Sequence, residues 1–87
     1  MEQVCLLCIV QELHRARRKH PDFGKDLVHC AAIVGEEAGE LIKASIDHHY
    51  AHGPLGDIET EAIQTAATAL RLMVDGAGVW LNSMKKG

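Results

Sequence analysis

The sequence predicts an all-α bundle, and three observations carry that expectation. Apolar residues recur at spacings of three and four rather than alternating. Punctuation is sparse, confined to Pro21–Gly24, Gly53–Gly56 and, more weakly, Gly76 and Gly78. The stretches between these breaks are long and their connections short, which is the pattern of packed helices. A single domain over residues 1–87 is expected, with three long helices and a short C-terminal one.

The first segment runs from about Glu2 to His20, with Leu6, Ile9, Val10, Leu13 and Ala16 on one face. Pro21 ends it, because the residue before a proline is pushed out of helical geometry. The basic run RARRKH, residues 15–20, falls where cations complement a helix dipole; phosphate contact is the competing reading. The second segment runs from about Lys25 to His49. Val28, Ala31, Gly35, Ala38, Gly39, Ile42 and Ile46 share one side, a stripe small enough at its middle to admit another helix closely. The third runs from about Ile58 to Asp75, with Asp57 as the expected N-cap. Most of its circumference is apolar, so it should be the most buried helix. The tail VWLNSMKKG supplies a short fourth helix or a cap bearing Trp80 and Leu81.

Composition narrows the function. The chain has 87 residues, 47% of them apolar, which is generous for a monomer of this size. A four-helix core completed by dimerisation is the expected remedy. A net charge of −3 and three aromatic residues (Phe23, Tyr50, Trp80) provide neither the field nor the stacking surface of a nucleic-acid binder. Cys5, Cys8 and Cys30 have no disulfide-framework or complete zinc spacing. No apolar run approaches the ~20 residues of a membrane span, and no leader pattern is present, so a cytoplasmic protein is expected. GPLG at 53–56 lacks the Lys and the spacing of a phosphate-binding loop.

The chemistry-bearing stretch is GEEAGEL, residues 35–41. Glu37 and Glu40 lie roughly opposite the Gly/Ala stripe, on a side shared with Ile33 and Ala44. Carboxylates among apolar neighbours are desolvated and mutually repelling, and must take up protons or find a cation. The third segment carries a polar stripe that includes Glu61, Gln64, Thr65, Thr68, Arg71 and Asp75. With the two segments antiparallel, Glu37 and Glu40 face Glu61 and Gln64, an oxygen set suited to a hard divalent cation.

These residues resemble the MazG-like all-α nucleoside triphosphate pyrophosphohydrolases. VGEEAGELIKA and ETEAIQTAATALRLM carry the likeness, over roughly residues 23–75. The family pattern is E-E-x-x-E, a spacer, then E-x-x-D; Glu36, Glu37, Glu40 and Glu61 match it, and Gln64 stands where the family usually has Asp. The resemblance implies a helical bundle assembled as a homodimer or homotetramer. It implies Mg2+, with Mn2+ as a substitute, and hydrolysis of a nucleoside or deoxynucleoside triphosphate to monophosphate and pyrophosphate. By position Glu37, Glu40 and Glu61 would be metal ligands. Glu36 would be a further ligand or would orient the attacking water, and Gln64 would offer only a neutral carbonyl oxygen.

Around this set, Arg71 either touches phosphate or pairs with Asp75, and Lys43 either reaches phosphate or is a solvated lysine. Phe23 is the candidate for stacking on a base, with Trp80 second. His48 and His52, four apart, raise a second metal question at a helix end. The other function class compatible with these residues is a catalytically weak or inactive helical dimer, a nucleotide-binding or protein-interaction module, which the departure at Gln64 favours.

Overall fold

The computed structural model describes residues 1–24 and 26–76. They form three helices: α1 (Glu2–Lys19), α2 (Leu27–Ala51) and α3 (Leu55–Asp75), with no strand among the described residues. The all-α expectation holds. The tail assigned to a fourth helix, with Trp80 and Leu81, lies outside the described residues.

Each boundary has a local cause. α1 stops at His20, whose N–H donates to Ala16 O at 2.8 Å, one residue before Pro21. α2 starts behind Asp26, a cap that the sequence reading missed: its side chain accepts from the His29 N–H at 2.7 Å. α2 ends at His52 in the left-handed conformation (φ 59°, ψ 30°), and the Gly53 N–H donates back to Asp47 O at 3.0 Å. The N-cap expected at Asp57 is corrected to Pro54, so α3 begins at Leu55, three residues before Ile58. Pro54 has no N–H to leave unsatisfied, and its extended backbone (φ −63°, ψ 134°) enters the helix directly. Asp57 sits in the first turn, where the helix dipole favours an acid.

The His52–Pro54 connection makes α2 and α3 an antiparallel hairpin. α1 lies along the other side of α3 and runs the same way as it. Cys8 and Gln11 share a groove with Thr60 and Ile63 at one end, while Ala16 and Arg17 meet Arg71 and Asp75 at the other. α3 therefore stands between its neighbours, and Ala67 and Arg71 are buried on it. Gly24 packs against the start of α2, where a Cβ would come within 2.7 Å of the Cys30 nitrogen and sulfur.

The bundle measures 50 × 25 × 23 Å, and its buried apolar core is small: Leu13, Cys30 and Ala67 among the described residues. The apolar surplus is on the outside. Val28 is 81% exposed, Ile42 61% and Tyr50 77%, and nothing stands within 4 Å of a Cβ built on Gly35 or Gly39. Among the described residues, the Gly/Ala stripe of α2 thus receives no other helix.

Candidate metal centre

The hairpin brings the acids together. Glu37 and Glu40 are one turn apart on α2, and Glu61 comes from the first half of α3. One carboxylate oxygen from each lies within 4.8 Å of the others. Glu37 and Glu61 are half-buried, and Glu40 is exposed. Oε2 of Glu37 and Oε2 of Glu61 are out of reach of solvent and have no hydrogen-bond partner. Buried polar atoms are nearly always paired, so two orphaned oxygens in one cluster mark a place suited to a positive charge.

The electrostatics agree with the geometry. Burial pushes the Glu37 carboxyl up from its ordinary value, and the charges of Glu40, Glu12 and Glu36 push it further. Burial also raises Glu61, reinforced by the charge of Glu40 and then by those of Glu37 and Asp57. A cation among these groups would reverse the sign of the effect by favouring the charged forms. Glu36 is exposed and stands outside the three-residue group.

Beside the cluster is a cleft of about 540 Å³ between α1 and the hairpin. Glu37 and Gln64 border it at the acid end, and Phe23, His29 and Arg71 border it at the other. The Thr side of the polar stripe is satisfied locally: Thr65 Oγ1 donates to Glu61 O and Thr68 Oγ1 to Gln64 O, both at 2.7 Å. Gln64 stands on the wall one turn after Glu61 and brings no charge there.

Arg71 lines the cleft but is 4% exposed and held from several sides. Its Nε donates to Asp75 at 2.8 Å, and its Nη2 donates to His20 O at 2.6 Å and Pro21 O at 3.2 Å. The guanidinium also lies 4.9 Å from the centre of the Phe23 ring. The pairing with Asp75 is therefore present, and Arg71 ties the end of α1 to α3. Lys43 is exposed on α2 and is not among the cleft-lining residues. Nδ1 of His48 donates to Gly53 O at 2.7 Å, and no three-ligand group among the described residues includes His48 or His52.

Phosphate contact was the lesser reading of RARRKH on α1, and Glu12 and the cleft-facing side of that helix were not foreseen. Glu12, Arg15 and Lys19 all line the cleft. Their spacing of three and four puts them on one helical face, but only the register of α1 against α3 turns that face toward the acids. Searches of protein-family models, of curated proteins and of solved structures find no significant match to this chain, so the assignment of the centre rests on its own residues.

Proposed function

We propose that this chain is a magnesium-dependent nucleotide pyrophosphohydrolase that cleaves a nucleoside or deoxynucleoside triphosphate to the monophosphate and pyrophosphate. One observation carries the reading: the convergence of Glu37, Glu40 and Glu61 within 4.8 Å, with orphaned buried oxygens on two of them, at the edge of a cleft. The donor set is all oxygen, which fits Mg2+ or Mn2+ rather than a soft metal. Glu37, Glu40 and Glu61 would hold the ion, with Gln64 able to add a neutral carbonyl oxygen. When bound, the ion offsets negative charge on the phosphate oxygens.

The rest falls to the chain itself. Water attacks the α-phosphorus, the bond to the bridging α–β oxygen breaks, and pyrophosphate leaves. The proton of that water needs a carboxylate, and Glu36 is the acid of this stretch outside the ligand group. Phe23 at the far end of the cleft offers a ring edge for a base, while its face toward Arg71 is covered. The exposed apolar residues of α2 support assembly as a homodimer or homotetramer. The second reading, a weak or inactive nucleotide-binding module, is favoured by the uncharged Gln64 on the cleft wall.

The test is pyrophosphate release from a panel of nucleoside and deoxynucleoside triphosphates, with and without Mg2+, beside Glu40→Gln. Mg2+-dependent release that disappears in the variant supports the hydrolase. A folded protein that releases none at any Mg2+ concentration overturns it. A large gain in rate from Gln64→Asp identifies a natural site short of one carboxylate.

A further inference from the structure

The wall of the cleft formed by α1 has no role in the reading above. Arg15 and Lys19 are four residues apart on the last two turns of α1, and both line the cleft that Glu37 and Gln64 border. Two other cations at this end, Arg17 and Arg71, are already matched. Arg17 is held by Asp75, with Nη2 at 2.6 Å and Nε at 3.1 Å, and Arg71 by Asp75 and two carbonyls. Lys19 is exposed and has no partner among the described residues. The guanidinium of Arg15 is forked onto Glu12, its Nε donating to the two carboxylate oxygens at 2.8 and 2.9 Å. Glu12 in turn lines the same cleft as Glu37.

We propose that Arg15 and Lys19 form a binding wall for the phosphate chain of the ligand, and that Glu12 occupies the Arg15 fork until phosphate replaces it. A guanidinium accepts phosphate and carboxylate with the same two-pronged geometry, so the exchange needs no new shape. The Arg15 side chain is 48% exposed, so an anion can reach it from solvent. Glu12, once released, is a free carboxylate beside Glu37 at the acid end. The wall gives the cleft two unlike sides, cations on α1 and carboxylates on the hairpin, between which a metal-bound polyphosphate would be held. The inference shares its cleft with the proposed hydrolase but does not depend on turnover or on a bound metal.

Calorimetric titration of the full chain with inorganic tripolyphosphate, in the presence of EDTA, tests it directly. Arg15→Gln and Lys19→Gln should each weaken binding by about tenfold, the scale of one lost charge-assisted hydrogen bond. Glu12→Gln should tighten it several-fold, and a gain of this kind does not arise from damage to the fold. Wild-type affinity in Arg15→Gln and Lys19→Gln, no gain in Glu12→Gln, or no tripolyphosphate binding by either the wild type or Glu12→Gln overturns the inference. Titration with ATP separates a phosphate wall from a nucleoside contact. Equal losses with both ligands support the wall, and a loss seen with ATP alone overturns it. Pyrophosphate release with unchanged KM in Arg15→Gln removes the wall and leaves the hydrolase standing. Tripolyphosphate binding that depends on Arg15, without release from any triphosphate, does the reverse.

Discussion

The two ends of the cleft treat charge in opposite ways. At the Arg71 end, a buried guanidinium meets Asp75 and the carbonyls of His20 and Pro21, and Asp75 also takes the fork of Arg17. At the Glu37 end, three carboxylates meet one another, and two buried oxygens have no partner. Charge satisfied within the chain acts as a joint. Charge left unsatisfied is a cost that an outside ion can remove.

Arg71→Ala should give the largest effect. It leaves Asp75 with only Arg17 and frees two carbonyls, and should destabilise the chain by about 3 kcal/mol. Chemical denaturation would show the loss as an earlier midpoint, and an unchanged midpoint would mean that the joint is ornamental. Glu61→Gln should act in the opposite sense. It removes a repelling charge and should stabilise the metal-free chain by about 0.5–1 kcal/mol. The same change should lower Mg2+-dependent pyrophosphate release by roughly a hundredfold, about 2.7 kcal/mol of barrier. Loss of stability and activity together would place Glu61 with the structural residues instead.

The pH dependence sharpens the contrast. The folded chain holds Glu37 and Glu61 above their ordinary value, so it binds more protons there than the unfolded chain does. Their contribution is full below the ordinary glutamate value of about 4.3 and is lost as pH rises through the raised values. Asp75 is held below its ordinary value, by the hydrogen bond of Arg17 first and then that of Arg71, against an opposing push from burial. Its contribution is present above the ordinary aspartate value and is lost as pH falls through the lowered one. Melting curves without metal should show the midpoint falling from pH ~4.3 toward neutrality, a slope that Glu61→Gln flattens and Mn2+ opposes. A slope identical in wild type and variant would remove the acid cluster from the account. A control site lies away from the acids: Asp26→Ala removes the α2 cap and should cost about 1 kcal/mol without altering metal dependence.

What was legible in the sequence follows the range of the interactions. The three helices were readable from apolar spacing, and Pro21 marked the end of α1 because its effect is local. The acid group was readable too. Glu37 and Glu40 share a face by helical geometry, and a short connection forces the antiparallel pairing that adds Glu61. The start of α3 was misread because Asp57 is a good cap by residue type, while Pro54 enters the helix by backbone shape. The close helix contact expected at Gly35 and Gly39 is not made among the described residues, since a stripe of small residues does not reveal which surface meets it. The cleft face of α1 was hidden for a related reason. RARRKH is equally at home at any helix end, and only its register against α3 sets Arg15 and Lys19 opposite the acids. The same register holds Arg71, whose carbonyl partners at His20 and Pro21 lie about fifty residues away in the chain.

The three-residue link His52–Gly53–Pro54 has a consequence for the order in which the molecule forms. Short-range contacts close faster than long-range ones. The α2–α3 hairpin should therefore assemble before α1 docks, and it assembles Glu37, Glu40 and Glu61 into mutual repulsion as it does so. The slow moment of folding would then fall at the acid cluster, and a divalent cation in the refolding buffer should act as a catalyst of assembly. Stopped-flow refolding with and without Mn2+ would register this as a faster folding limb, with the Glu61→Gln chain already fast and indifferent to the ion.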